Sequence, residues 1–170
     1  HLSHTDLDGY GCQMVTKHYF DSIAFYNSNY GKEINECFNQ ILDVIQNSPL
    51  ENHAILITDL NLTMEQAKEF ESKASICAKK PFLLLLDHHK TGQECANTFE
   101  WYCLDSSRCA TKITYDFFAS LYGQDEKLSK FVDVVKTVKT GDTAQIGLFA
   151  ILSIAAIVVV IIVLRRRKNL

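Results

Sequence analysis

The sequence lacks several features that mark particular protein classes. None of its six cysteines belongs to a C-x-x-C pair, and no Cys/His set has zinc-finger spacing. Basic residues are not in excess, because 17 Lys and Arg face 20 Asp and Glu for a formal net charge of −3. Prolines number only two, and there is no internal repeat or low-complexity linker. These absences argue against a structural zinc site, a repeat array and binding to nucleic acid driven by overall charge.

What is present is typical of a folded domain. Hydrophobic residues make up 47% of the chain and charged residues 22%, which excludes general disorder. A length of 170 residues allows one domain of ordinary size with an appendage. The first residue is His, so we expect a processed product or a fragment. We expect the cysteines to be free structural thiols in a reducing compartment, with disulfides as the alternative.

Apolar runs of strand length alternate with helical patterns, which predicts an α/β domain with a mainly parallel sheet and helices on both faces, over residues 1–138. The two clearest strands, 53–58 and 83–86, are mostly apolar, with uninterrupted aliphatic runs at 54–57 and 83–86, as expected of strands buried on both faces. Shorter strands are predicted at 22–26 and 98–104, and helices at 10–20, 31–47, 63–79, 109–121 and 126–138.

Candidate ligands follow the short apolar start of the chain and the two clearest predicted strands. The carboxyl ends of parallel strands are where such sheets hold their functional residues. Carboxylates and imidazoles without thiolates suit Mn²⁺ or Mg²⁺. So many carboxylates need cations to offset their charge, which a centre of two metals about 3.5–4 Å apart would do. Gly9 lets the chain turn sharply into the first helix. The candidates are His4, Asp6, Asp8, Asp59, Asp87, His88 and His89.

Each motif alone has a plainer interpretation. Asp8 and Gly9 would ordinarily form a turn, and Asp59 would cap the next helix. The pair His88 and His89 would be part of a polar loop. Three such motifs at successive strand ends favour one shared site, since the plainer interpretation must account for each separately.

The motifs S-H-T-D-L-D-G-Y-G at 3–11, I-T-D at 57–59 and L-L-D-H-H-K at 85–90 resemble those of the DHH phosphoesterase superfamily, over about residues 2–118. That superfamily includes oligoribonucleases, single-strand exonucleases, cyclic-dinucleotide phosphodiesterases and manganese pyrophosphatases. The resemblance implies that His4 and Asp6 bind one metal.

Further roles follow from the same resemblance. Asp8 would bind the second metal, and Asp59 would bridge the two. His88 would be another ligand, with His89 in contact with the substrate phosphate. Asp87 would orient the histidine pair.

The superfamily also has a fourth motif with a metal-binding aspartate, followed by a substrate-binding domain. We expect that second domain to be missing here. Asp142, in the stretch 141–143, is the candidate for the fourth-motif ligand, although it lies only four residues before a long apolar segment.

That segment, 146–164, holds 19 residues without a charge. At about 1.5 Å per residue it is long enough to cross a bilayer, so we expect a single transmembrane helix. The basic tail 165–170 favours a cytoplasmic C-terminus, which would place the folded domain outside the cell. DHH domains, however, mostly act on nucleotides inside the cell. The side of the membrane on which the domain lies therefore stays open. Residues 139–145 form a linker, or a degenerate sorting signal for a sortase-type transpeptidase of Gram-positive cells.

The sequence therefore predicts a membrane-anchored, Mn²⁺-dependent phosphoesterase, with Mg²⁺ as the other candidate cation. Its partner would be a small nucleotide or short oligonucleotide, in which it hydrolyses a phosphodiester or phosphomonoester. The alternative is a catalytically inactive remnant, anchored to membrane or cell wall, that binds metal or nucleotide without turnover. A surface adhesin is a third possibility, but it leaves the histidines and carboxylates without a role.

Overall fold

Strands and helices alternate along the chain, as the hydrophobic pattern predicts. The computed structural model describes residues 1–140, of which His1–Lys136 form one compact unit. The strands are β1 (Leu2–His4), β2 (Tyr26–Ser28), β3 (Ala54–Thr58), β4 (Phe82–Asp87) and β5 (Tyr102–Leu104). The helices are α1 (Leu7–Tyr19), α2 (Lys32–Asn47), α3 (Met64–Ile76), α4 (Gln93–Thr98), α5 (Ala110–Tyr122) and α6 (Glu126–Thr140).

The sheet has five strands in the order β2-β1-β3-β4-β5, and every neighbouring pair is parallel. The chain first steps outward from β1 to β2 and then returns to the other side of β1 with β3. In a doubly wound sheet this reversal opens a crevice beyond the carboxyl ends of the two strands that flank it. The α/β fold and the parallel sheet are thus confirmed, and the switch point, where such a crevice is expected, lies between β1 and β3.

Alternate residues of the central strands serve two separate cores, because successive side chains of a strand point to opposite faces. Ile55 and Ile57 pack with α2 and α3 on one face. Leu56 packs with α1, α5 and α6 on the other. On the first face, the rings of Phe38 and Phe70 stack with their centroids 3.8 Å apart. Burial on both faces explains why these strands are mostly apolar.

Two short strands differ from the sequence prediction. The second strand is Tyr26–Ser28 rather than 22–26. The run predicted as a strand at 98–104 is extended only over Tyr102–Leu104, and the helix Gln93–Thr98 before it was not predicted. Both short elements have few buried residues, so the hydrophobic pattern carries little information about them.

The start of α3 follows the prediction closely. Thr63 accepts a hydrogen bond from the Gln66 amide at 3.2 Å, and the Gln66 side chain accepts one from the Thr63 amide at 3.0 Å. This reciprocal capping box satisfies amides that the first helical turn otherwise leaves unpaired. The helix predicted from residue 63 thus begins where the sequence indicates.

The cysteines all lie among the described residues, and no disulfide joins any of them. The predicted transmembrane segment 146–164, the basic tail 165–170, most of the linker 139–145 and Asp142 lie outside the described residues. Within residues 1–140, no helix combines the length and apolar character needed to span a bilayer.

Candidate functional site

The first motif lies where β1 passes into α1. Asp6 is the N-cap of α1, and its Oδ1 accepts a hydrogen bond from the Gly9 amide at 2.9 Å. Its Oδ2 lies 3.3 Å from Nδ1 of His4. A Cβ at Gly9 would lie 2.2 Å from the His4 carbonyl oxygen. Gly9 is therefore needed because the start of α1 lies so close to β1. From the sequence alone, a sharp turn of the chain was expected at Gly9. The φ of Gly9 is not in the left-handed region, so the lack of space rather than the backbone conformation requires glycine.

Asp8 is fixed by the start of a helix that is distant in sequence. Its side chain is buried, and its two oxygens accept hydrogen bonds from the amides of Ala110 at 3.0 Å and Thr111 at 2.8 Å. The Thr111 hydroxyl adds a third contact at 2.6 Å. A carboxylate at a helix N-terminus is also stabilised by the helix dipole. Asp8 thus caps α5 from α1 and joins the two helices beside the site.

Asp59 directly follows β3 and is completely buried. Its φ of 55° lies in the left-handed region, which Asp tolerates better than most residues. The Asp59 amide donates to the carbonyl oxygen of Leu86 at 3.2 Å, which ties the end of β3 to β4. The capping role considered for Asp59 is not observed, because Thr63 caps the following helix.

The third motif extends from the end of β4. Oδ1 of the buried Asp87 lies 2.7 Å from Nδ1 of His89. Nε2 of His88 lies 3.2 Å from Oδ1 of Asp59 and 3.8 Å from Oδ2 of Asp8. His88 therefore faces the carboxylates of the other two motifs, and Asp87 contacts His89.

Two groups of donor atoms meet in the crevice, and Asp59 belongs to both. In one, donor atoms of Asp59, Asp87, His88 and His89 lie within 4.8 Å of one another. In the other, the same holds for His4, Asp6 and Asp59. Carboxylate oxygens with imidazole nitrogens are the donor set that Mn²⁺ accepts. Buried carboxylates this close also favour a cation, since their like charges repel in a medium of low dielectric constant. The residues fit a centre of two cations.

Two tyrosines complete the site, and the sequence motifs did not indicate either. The hydroxyl of Tyr102 donates to Oδ2 of Asp87 at 3.3 Å. The hydroxyl of Tyr30 lies 3.2 Å from Nε2 of His89. A Cβ at Gly92 would lie 2.4 Å from the Tyr102 hydroxyl, so Gly92 makes room for this contact. Both tyrosines lie outside the three motifs.

The site carboxylates affect the tyrosine hydroxyls. Burial, followed by the charge of Asp87, raises the pKa of Tyr102 far above its usual range. Burial, followed by the charges of Asp59, Asp87 and Asp6, also raises the pKa of Tyr30 well above that range. Both hydroxyls therefore stay protonated and act as hydrogen-bond donors at neutral pH.

The structure thus brings together all seven candidates of the three motifs at the carboxyl edge of the sheet. The eighth candidate ligand, Asp142, lies outside the described residues and stays a prediction. Thr111 lies outside the three motifs, at the start of α5. Its contact with Asp8 spans 103 residues, so no local pattern reveals it.

The chain was also compared with protein families, curated proteins and solved structures. No family model matches the chain. A 3',5'-cyclic-nucleotide phosphodiesterase from Helicobacter pylori is 41% identical over 155 residues, which cover 86% of this chain and 44% of that protein. The crystal structure of an uncharacterized protein from Helicobacter pylori G27 matches with a TM-score of 0.77 and 42% identity, over 85% of this chain and 43% of that one. The chain spans less than half the length of each.

Proposed function

We propose that this chain carries the site of a metal-dependent phosphoesterase that hydrolyses a phosphodiester or phosphomonoester in a small nucleotide or short oligonucleotide. The observation that carries the proposal is Asp59, a buried carboxylate shared by two groups of ligand-type side chains at the switch point of the sheet. Phosphoryl transfer needs positioning and charge stabilisation more than it needs a protein nucleophile. A site rich in metal ligands fits that need.

The similarity to a named phosphodiesterase supports nucleotides as the substrate class. The printed name of that relative makes 3',5'-cyclic nucleotides the first substrates to test. Because this chain covers only 44% of that protein, the substrate of the whole enzyme is itself a proposal.

For two Mn²⁺ ions we take one ligand set directly from a donor group and build the other from His88 and the two carboxylates that it faces. His4, Asp6 and Asp59 would hold one ion. Asp59, His88 and Asp8 would hold the other, with Asp59 as the bridge. Bound cations would supply Lewis acidity toward water and the phosphoryl oxygens. Mg²⁺ would use the same oxygen ligands.

The remaining side chains position the substrate and the ligands. Asp87 accepts from Nδ1 of His89 and so directs Nε2 of that ring toward the crevice, where we place the phosphate. Thr111 and the first amides of α5 hold the Asp8 carboxylate in one orientation. These contacts reduce the reorganisation that ligand binding would otherwise require.

Hydrolysis assays test this proposal. The full chain with Mn²⁺ is expected to cleave a 3',5'-cyclic nucleotide, a dinucleotide or a nitrophenyl phosphodiester, to lose activity with EDTA and to regain it when Mn²⁺ is restored. His88→Gln should lower kcat by about 100-fold or more, as expected for loss of a metal ligand or its immediate support. His53→Gln is the matched control, since the half-buried His53 side chain hydrogen-bonds the Leu50 carbonyl in its own loop, at the opposite end of β3 from Asp59. Substrates left intact by the Mn²⁺-loaded chain would contradict catalysis.

A second candidate is a chain that binds metal or nucleotide without turnover. This candidate is kept because the chain covers less than half the length of each relative, so the activity of either whole protein does not carry over to it. Mn²⁺ binding without hydrolysis of any tested substrate would support it. Membrane anchoring through 146–164, with or without sortase processing, likewise stays a proposal.

A further inference from the structure

Tyr30 lies between the first and third motifs although it belongs to neither. It follows β2 in the loop before α2, on the far side of β1 from β3. Its ring centroid is 4.8 Å from that of His4 and 6.0 Å from that of His89, which it meets almost edge-on at 85°. With 46% of its surface exposed, Tyr30 lies at the surface beside the site rather than in the core.

The hydroxyl of Tyr30 contacts the nitrogen that we assign to substrate. A carboxylate only accepts, so the contact with Asp87 assigns the hydrogen of a neutral His89 ring to Nδ1. Nε2 of that ring is then an acceptor, and Tyr30 donates to it at 3.2 Å. The contact connects Asp87, His89 and Tyr30 in one line of hydrogen bonds from the buried strand end to the surface.

We propose that Tyr30 is a second phosphate-contacting residue, whose hydroxyl turns from Nε2 of His89 to donate to the phosphoryl oxygen that lies against that ring. This inference deepens the proposed function and rests on it. The hydroxyl lies 3.2 Å from Nε2, so a phosphoryl oxygen that packs beside this edge of the ring comes within reach of the Tyr30 hydroxyl without a change in the sheet. The half-exposed ring can make that small rotation without opening either core.

The chemistry of the hydroxyl suits this role. A phosphate near the buried carboxylates of Asp59 and Asp87 is repelled by their negative charge. The Tyr30 hydroxyl, already positioned by its contact with His89, offers the phosphate a hydrogen-bond donor there. Hydrogen bonds to a charged acceptor are stronger than those to a neutral one. Tyr30 would thus favour a phosphoryl oxygen over water at the same place.

Tyr30→Phe is the direct test, because it removes only the hydroxyl and keeps the ring beside His4. In the Mn²⁺-loaded full chain we expect inorganic phosphate to bind about tenfold more weakly by calorimetry, with a similar rise in KM for a nitrophenyl phosphodiester. Tyr122→Phe is the matched control, since Tyr122 is exposed and its ring contacts Tyr19, Phe20 and Phe118 at the end of α5.

A double-mutant cycle separates direct contact from an effect through His89. If Tyr30 touches the phosphate, Tyr30→Phe weakens phosphate binding in a His89→Ala background as well. If Tyr30 only positions His89, it has no effect there, which overturns the inference. Unchanged phosphate affinity and KM in Tyr30→Phe with an active wild type would also overturn it, yet leave the proposed function intact. Phosphate binding that depends on Tyr30, without hydrolysis of any substrate, would support the role of Tyr30 and contradict catalysis. The absence of any phosphate binding would contradict the role of Tyr30 and the proposed function together.

Discussion

Two side-chain hydroxyls hold the carboxylates of the candidate site before any ligand binds. Thr111 donates to Asp8 at 2.6 Å, and Tyr102 donates to Asp87 at 3.3 Å. Each hydroxyl comes from an element outside the motif that it supports. At the scale of residues, the geometry of the site therefore depends on partners that the three motifs do not contain.

We expect Thr111→Val to destabilise the protein by about 1–3 kcal/mol, the usual cost of leaving a buried charged group without one of its hydrogen bonds. The substitution keeps the shape and β-branching of the side chain but removes the hydroxyl that donates to Asp8. Urea unfolding with an unchanged m-value measures the effect.

Thr114→Val is the matched control for this prediction. Thr114 is also buried on α5, but its hydroxyl bonds only uncharged groups, the Ala110 carbonyl of the same helix and the Cys12 thiol, rather than a carboxylate. An equal loss of stability in the two variants would show that the contact between Thr111 and Asp8 has no special importance.

At the scale of elements, α1 and α5 approach closely beside the site. The contact is made possible by Gly11, where a Cβ would lie 2.3 Å from Oγ1 of Thr111. The same threonine bonds Asp8 one turn earlier, so a separation of the two helices would also disturb the site carboxylate. Helix packing and site geometry therefore depend on one contact.

We expect Gly11→Ala to destabilise the protein by about 1–3 kcal/mol through overpacking, although Ala is the better helix former. Thermal or urea unfolding measures the change. Thr111→Ala removes the obstructing atoms, so the cost of Gly11→Ala should be smaller in that background. A more stable Gly11→Ala variant would contradict the close approach described here.

The sequence predicts the long elements well and the short ones poorly. The strand Ala54–Thr58 and the helix Lys32–Asn47 were predicted within a residue, because burial gives each a clear pattern. The edge strand Tyr26–Ser28 is placed instead by its pairing with β1, in which Leu2 faces Tyr26. Such pairing is a tertiary effect that a local pattern does not record.

At the scale of the whole molecule, the parallel sheet explains why three separate motifs meet. Asp59 and His88 follow neighbouring strands, and His4 ends the strand on the other side of the switch point. Functional side chains of parallel sheets lie beyond the carboxyl ends of the strands, so the sequence alone predicts that the motif residues share one site. Tyr30, Tyr102 and Thr111 were not, since their roles arise only from contacts across the fold.

The central claim is that two cations share Asp59, and calorimetric titration of the full chain with Mn²⁺ tests it most directly. Asp59→Asn removes the charge while Asn still tolerates the φ of 55°. Asp43→Asn, at an exposed position of α2, is the matched control. We predict two bound ions in the wild type and in Asp43→Asn, and loss of both together in Asp59→Asn. The same stoichiometry and affinity in Asp59→Asn, or no binding by the wild type, would contradict the shared centre.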